Sequence, residues 1–151
     1  MEHLLYRQAH WQKSNGETGS IDYPHELKTA IALAQKGYDV LFAPKCIFKR
    51  SEKKFDIFLI RGHIVLKADL KYISSKNPDT IANRIKNGST QASRVVVDIV
   101  SAISKKHLIE GLRSGAARND LLQEVLLFYR GSFYILSAAQ IWSKRIYTII
   151  K

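Results

Sequence analysis

Two apolar segments joined by Arg61-Gly62 constrain the fold more than any other part of this chain. Residues 55–60 and 64–72 are rich in β-branched and aromatic side chains and have the length of strands. A glycine in a two-residue connection supplies the positive φ of a tight turn. The sequence therefore predicts a β-hairpin with Arg61 and Gly62 as its loop.

The predicted hairpin brings acidic and basic side chains together. Its register pairs Asp56 with Lys67 and makes Asp69 the diagonal neighbour of Asp56. Diagonal neighbours lie roughly 7–8 Å apart, which two carboxylates can close around one ion. An odd loop length would break the parity. With an even loop, the side chains that share one face are Asp56, Val65, Lys67, Asp69 and Lys71.

The acids of the hairpin have two interpretations. They are solvated residues in weak surface ion pairs with Lys67 and Lys71, or they form a cation site beside a lysine. Asp56 interrupts a segment that is apolar on both faces, which is typical of an interior strand where a lone acid is disfavoured. This placement favours the functional interpretation.

The first half of the chain also predicts a helix before the hairpin. Apolar positions recur at helical spacing over residues 23–35, with Pro24 in the first turn and Gly37 at the stop. Glu26 lies near the start of this helix. Residues 38–43 predict a strand, and residues 44–54 a basic connector.

The second half adds alternating helices and strands. We predict a turn at 77–79, a helix from Ile81 to Ala92, a strand over 94–99, a helix over 101–112 ending near Gly115, a second hairpin about Gly131-Ser132, and a terminal helix through Trp142 and Ile146. This order predicts an α/β (α+β) fold, a mixed central sheet flanked by helices. Glu26 is then expected above one end of the sheet.

Composition indicates a basic, single-domain protein. With 151 residues and 46% hydrophobic content, we expect an arm or linker over 1–20 and one domain over 21–151. The 24 Lys and Arg against 13 Asp and Glu give a formal charge of +11, which indicates a polyanionic partner, most commonly nucleic acid. Lys53, Lys54 and Lys67 are candidate phosphate contacts, although a solvated loop explains the basic connector equally well.

The sequence offers no sign of a membrane or an oxidising compartment. Cys46 is the single cysteine, so no intrachain disulfide or cysteine metal cluster is expected. There is no apolar run long enough to span a membrane and no signal-peptide pattern. These features predict a cytoplasmic site of action and no membrane partner.

The order of the charged residues resembles a known nuclease superfamily. A Glu in the first helix, an Asp on a second strand and Asp69-Leu70-Lys71 on a third resemble the PD-(D/E)xK nucleases. The longer pattern, from Asp22-Tyr23-Pro24-His25-Glu26 through the hairpin to residues 77–86 and 91–98, is similar to the C-terminal toxin domain of contact-dependent growth-inhibition (CdiA) proteins. This similarity spans roughly residues 21–136.

The resemblance implies a function and a set of site residues. Members of the toxin group are typically nucleases, several acting on tRNA after delivery into a neighbouring cell, and are blocked by a cognate immunity protein. It implies catalytic roles for Glu26, Asp56, Asp69 and Lys71, and substrate contact for Gln91, for which a plain helix-terminal role is equally expected.

The chemistry expected of this set is metal-dependent phosphodiester hydrolysis. Asp56, Asp69 and the backbone carbonyl of Leu70 are expected to ligate Mg²⁺ or Mn²⁺, with Glu26 holding a second ion or a metal-bound water. A free lysine has a pKa of about 10.4, so Lys71 is expected to stabilise charge rather than act as a base.

Other functions are open at this point. The same residues suit a DNA endonuclease of the superfamily, and the basic surface alone suits a non-catalytic nucleic-acid-binding module. A histidine-based hydrolase is disfavoured, since no nucleophile elbow or zinc-binding pair accompanies the five histidines, His3, His10, His25, His63 and His107.

Overall fold

The computed structural model describes residues 23–43 and 54–151. Within them the sheet strands are β1 (Asp39–Phe42), β2 (Ile57–Arg61), β3 (Ile64–Ile73), β4 (Arg94–Ile99), β5 (Glu124–Tyr129) and β6 (Ser132–Ser137). The helices are α1 (Tyr23–Gln35), α2 (Pro78–Gln91), α3 (Lys105–Ala117), α4 (Ala138–Trp142) and α5 (Ile146–Ile149). The predicted arm over 1–20, most of the basic connector, Lys53 and Cys46 lie outside the described residues.

The six strands form one mixed sheet in the order of the sequence. β1, β2 and β3 pair antiparallel, β3, β4 and β5 pair parallel, and β6 returns antiparallel to β5. Each parallel pair needs a crossover, which α2 and α3 supply. The predicted mixed sheet with flanking helices is confirmed.

The helices cover the two faces of the sheet with separate cores. One face packs α2 and α3 against β4 and β5, through residues such as Ile85, Val97 and Leu112. The other face packs α1 against β1 to β3, through residues such as Leu33 and Leu59. On β3, Ile73 belongs to the first core, and Ala68 and Leu70 belong to the second. The alternation of side chains therefore puts Asp69 and Lys71 on the face of α2.

The first hairpin forms with a different register from the predicted one. Arg61 pairs with Ile64, so the loop is Gly62-His63 rather than Arg61-Gly62. Gly62 has a φ of 60° at the first loop position, which suits a two-residue turn with glycine there. Lys67 consequently pairs with Phe58, and the predicted pairing of Lys67 with Asp56 is wrong.

The second hairpin also turns one residue earlier than predicted. Tyr129 pairs with Ser132, so the loop is Arg130-Gly131 rather than Gly131-Ser132. Both loop residues have positive φ, 49° and 75°, as the right-handed twist of the strands favours in such turns. The loop length is two in both hairpins, as predicted.

Three of the predicted helices have boundaries that differ from the predictions. The predicted turn at 77–79 is the start of α2, where the Asn77 side chain caps the helix by accepting from the N–H of Asp79 at 2.9 Å. α3 starts at Lys105 and continues past Gly115, because its glycines pack closely against α2 rather than ending the helix. The predicted terminal helix is divided at Ser143 into α4 and α5.

No helix in the described segments is both long enough and apolar enough to cross a bilayer.

Candidate functional site

The candidate site lies where β3 extends beyond its antiparallel neighbour. Pairing between β2 and β3 ends at Ile57 and Ala68, whereas β3 continues to Ile73. Over this last stretch, the pairing of β3 with other described residues is with β4 on its other side. Within the described segments, backbone groups of β3 therefore face an open edge, and the acids of the hairpin gather beside it.

Asp56 takes over the hydrogen bonding at the start of this edge. Its backbone N–H donates to the carbonyl of Ala68 at 3.2 Å, and its carboxylate accepts from the N–H of Leu70 at 2.7 Å. In a strand, the N–H and C=O of one residue point to the same side. The carbonyl of Leu70 therefore faces the open edge together with the Asp56 carboxylate.

Asp69 is buried beneath α2. It is 3% exposed, and a Cβ added to Gly88 would lie 3.1 Å from its Oδ2. The missing side chain at Gly88 thus leaves the space that this carboxyl group occupies. Within the described part of the chain, no donor forms a hydrogen bond with Oδ2, although the atom is buried.

Lys71 forms an ion pair with Asp69. Its Nζ lies 2.5 Å from Asp69 Oδ2 and its side chain is 18% exposed. The two atoms are close enough for an ion pair, but the angles between them do not meet those of a hydrogen bond. Asp69 therefore has a charged neighbour and still one oxygen without an aligned donor.

The environment of Asp69 favours its protonated form. Burial, the charge of Asp56 and a hydrogen bond shared with Asp56 raise its pKa from 3.8 to about 8, against the opposing effect of Lys71. Two carboxyl groups in such contact are costly when both are ionised. The pair therefore holds a proton, or another cation in its place.

A pocket of about 220 Å³ opens over these residues. Its lining in the described part of the chain comes from α1, β3, α2 and the residue before β2, and consists of Glu26, Thr29, Asp56, Leu70, Lys71, Tyr72 and Arg84. The pocket thus contains three of the four predicted catalytic residues, and Asp69 lies buried next to it.

Glu26 enters the pocket from the first turn of α1. This end of the helix is held against β3 by the stacking of His25 on Tyr72, whose ring centroids lie 3.8 Å apart. Glu26 thus lies at one end of the sheet, as predicted. The stacking on Tyr72 gives His25 a packing role at the start of α1.

Arg84 and Tyr72 belong to the pocket without having been predicted. A guanidinium nitrogen of Arg84 donates to the carbonyl of Tyr72 at 3.3 Å, on the same open edge as Leu70. Arg84 lies one residue before the buried Ile85 of α2, so its spacing predicts only an exposed helical position. Only the contact between α2 and β3 reveals it.

The predicted nucleic-acid contacts are not part of this pocket. Gln91 is the last residue of α2, Lys54 is exposed, and the Lys67 ammonium lies 5.3 Å from the centroid of the Phe55 ring. None of the three lines the pocket within the described segments. Their roles in binding stay predictions.

The donor groups at this edge fit a divalent cation. The charge of Asp56 raises the pKa of Asp69, a buried oxygen of Asp69 has no hydrogen-bond donor among the described residues, and the Leu70 carbonyl faces the side of the Asp56 carboxylate. Carboxylate and carbonyl oxygens are the ligands that Mg²⁺ and Mn²⁺ prefer. Among the described residues, no three His, Cys, Asp or Glu side chains group closely enough to hold a metal ion. Asp56 and Asp69 are therefore the side-chain pair to consider.

The chain matches no family model, no curated protein and no solved structure in comparisons with known proteins.

Proposed function

We propose that the protein is a metal-dependent nuclease that hydrolyses phosphodiester bonds. The observation that carries the proposal is the buried ion pair of Asp69 with Lys71 beside the Asp56 carboxylate, which accepts from the Leu70 N–H at an open pocket. Two neighbouring carboxylates repel each other when no cation is bound, so such a pair is costly as a purely structural feature and favourable around a cation. The net charge of +11 suits a polyanionic substrate.

The order of elements supports a PD-(D/E)xK core as part of this proposal. Glu26 lies on the first described helix, Asp56 directly precedes the second strand, and Asp69 and Lys71 lie on the third. This is the order of residues on which the resemblance rests. The mixed sheet with helices on both faces is compatible with such a core.

Each residue has a distinct role in the proposed reaction. Asp56, Asp69 and the Leu70 carbonyl would hold Mg²⁺ or Mn²⁺, which when bound polarises the phosphate and lowers the pKa of water. Lys71 stabilises the negative charge that develops on the phosphate oxygens. Arg84 binds a neighbouring phosphate, and Glu26 orients the attacking water or a second ion.

The substrate class follows from the resemblance together with the charge. We propose RNA, and tRNA in particular, with DNA as the alternative within the same chemistry. If the protein acts as a growth-inhibition toxin in the cytoplasm of a target cell, a cognate immunity protein is a further proposed partner. Mixing the protein with candidate immunity proteins and measuring residual cleavage tests that partner directly.

Cleavage of total tRNA and of plasmid DNA, each with Mg²⁺, with Mn²⁺ and with EDTA, tests the function. We expect discrete tRNA fragments that disappear with EDTA and with Asp69→Asn, while Asp120→Asn, which removes an exposed carboxylate outside the pocket, cleaves normally. Cleavage of DNA but not of tRNA would support metal-dependent phosphodiester hydrolysis and reject tRNA as the substrate. Full activity of a folded Asp69→Asn variant would reject the site, and binding of both polymers without cleavage would indicate a non-catalytic module.

A further inference from the structure

A second cavity, of about 300 Å³, lies between α1 and the hairpin of β5 and β6. Its wall includes Lys28 and Ala32, which lie four residues apart on one side of α1, and Lys36, the first residue after the helix. Phe128 of β5 and Arg130 of the second turn contribute the opposite side. This is a volume at the lower end of those that hold small ligands.

The cavity combines positive charge with an aromatic surface. Lys28, Lys36 and Arg130 are exposed around it, and the half-buried Phe128 packs against Phe133 with a centroid distance of 4.7 Å. Cationic side chains beside an aromatic ring are typical of sites for single-stranded nucleic acid, where phosphates contact the cations and bases stack on the ring. The lysines are exposed and lie outside the hydrophobic core, whereas Phe128 and Phe133 also pack against the core on the α1 face.

One hydrogen bond connects this cavity with the catalytic pocket. Thr29 lines the catalytic pocket, and its hydroxyl donates to Asp98 Oδ2 at 3.1 Å, while Asp98 lines the second cavity. From Glu26 to Gln35 the helix rises by roughly 13.5 Å at about 1.5 Å per residue, and Lys36 follows directly. A strand of a few nucleotides is long enough to occupy both spaces along α1.

We propose that this cavity binds unpaired nucleotides of the substrate strand that flank the cleaved phosphate. Lys28, Lys36 and Arg130 contact the phosphates, and one base stacks on Phe128. The Asp98 carboxylate accepts a hydrogen bond from an amino group of that base, as carboxylates do with cytosine. The inference rests on the proposed nuclease function for the identity of the strand.

Oligonucleotide binding in EDTA tests the cavity without requiring cleavage. Labelled single-stranded RNA and DNA oligonucleotides are titrated with the wild type and with Lys28→Gln/Lys36→Gln. The matched control, Lys106→Gln/Lys144→Gln, removes the same charge from two exposed positions on the opposite face of the sheet. Lys106 lies on α3, and Lys144 lies between α4 and α5. We expect at least about a tenfold loss of affinity for the first double variant, with a salt slope smaller by about 1.4. An equal loss in both variants would overturn the proposal.

Stacking and base preference provide a second, independent measurement. An oligonucleotide that carries 2-aminopurine should be quenched on binding to the wild type and less so by Phe128→Leu, whose folding is checked by circular dichroism. Oligocytidylate should bind more tightly than oligouridylate, and Asp98→Asn should reduce this difference. Unchanged quenching with Phe128→Leu, or duplex DNA binding as tightly as single strands, would contradict the proposed occupant.

The outcomes separate this inference from the proposed function. Loss of binding in Lys28→Gln/Lys36→Gln without any cleavage by the wild type would reject the nuclease and retain the strand-binding cavity. Cleavage by the wild type with unchanged binding and cleavage in that variant would retain the nuclease and reject the cavity. Absence of oligonucleotide binding by the wild type rejects the cavity in either case.

Discussion

The Asp56 carboxylate accepts a 2.7 Å hydrogen bond from the backbone N–H of Leu70, at the point where β3 loses its antiparallel partner. A side chain thus satisfies a backbone donor that the missing strand would otherwise satisfy. The same bond fixes Asp56 next to Asp69 and to the pocket. Because β2 begins only at Ile57, its pairing with β3 stops at Ala68, which leaves the open edge and places Asp56 beside it.

The stability of the cation-free protein should fall as the pH rises. The pKa of Asp69 is raised from 3.8 to about 8, chiefly by burial, so between these values the unfolded chain loses a proton that the folded protein keeps. We expect the free energy of unfolding to decrease by up to about 1.4 kcal/mol per pH unit within this window. Urea unfolding in EDTA at several pH values measures the slope.

Two variants assign this slope to Asp69. Asp69→Asn should remove the contribution, so the difference in stability between variant and wild type should grow with pH. Asp56→Asn keeps an oxygen for the Leu70 N–H but removes the neighbouring charge, and should reduce the slope in part. If the difference in the free energy of unfolding between wild type and Asp69→Asn instead favoured the wild type more as the pH rises, the assignment to Asp69 would be contradicted.

Divalent cations should stabilise the folded protein through the same pair. Mn²⁺ or Mg²⁺ at about 100 times its dissociation constant adds about 2.7 kcal/mol if it binds only the folded state. The rise in Tm should be larger at pH 8 than at pH 6, because the cation competes with the proton on Asp69. Thermal melts of wild type, Asp56→Asn and the control Asp120→Asn give the comparison. An equal shift in all three would place the bound cation elsewhere.

Gly88→Ala should destabilise the protein, although alanine is the better helix former. The added Cβ would lie 2.9 Å from a methyl carbon of Val95 and 3.1 Å from Asp69 Oδ2. We expect a loss of about 1–3 kcal/mol together with reduced cleavage, because the helix must move away from Asp69. The control is Asn87→Ala on the exposed side of α2, which should be neutral or stabilising. The measurement is the free energy of unfolding from chemical denaturation. A Gly88→Ala variant more stable than the wild type would show that α2 can shift to accommodate the Cβ without loss of stability.

Arg84→Gln should weaken cleavage without unfolding the protein. The side chain is exposed and donates to the Tyr72 carbonyl at the pocket, so its loss removes one charged donor for phosphate. We expect kcat/KM to fall about 10- to 100-fold, since hydrogen bonds to charged groups contribute about 1.5–3 kcal/mol. Lys86→Gln removes the same charge from an exposed position on the same helix. Equal losses in the two variants would indicate general electrostatic attraction alone.

Lys71→Met should reduce kcat more than it raises KM. The ammonium lies beside Asp69, where negative charge would develop in the proposed phosphodiester cleavage. We expect a decrease in kcat on the order of 10²-fold. Lys106→Met, on α3, removes an exposed ammonium outside the pocket and should leave kcat near the wild-type value. Steady-state kinetics on a defined RNA substrate distinguishes the two, and a pure KM effect of Lys71→Met would assign it to binding.

Several features of the site could be predicted because they depend on local periodicity. Asp69 and Lys71 share one face because side chains alternate along a strand, whichever register the hairpin adopts. The even loop preserved this parity when the turn moved to Gly62-His63. The placement of Glu26 in the first turn of α1 followed from Pro24 and the helical spacing after it.

Other features depended on contacts that no local pattern contains. Gly62 can occupy either central position of a two-residue turn, so the register was chosen by packing of the strands rather than by the turn. Ser143 divides the terminal helix although the apolar spacing continues. Arg84 joins the pocket only because α2 crosses β3 at that point.

The amino-acid sequence by itself determined the mixed sheet, the flanking helices, the basic surface and the common face of Asp69 and Lys71, since these follow from side-chain periodicity and composition. The tertiary structure alone decided that β2 ends before β3, that Gly88 leaves space for a buried carboxyl group and that Arg84 meets the open edge. The physical reason is range: periodicity acts between neighbours in the chain, whereas close packing and the electrostatic coupling of Asp56 with Asp69 act between segments that only the fold brings together.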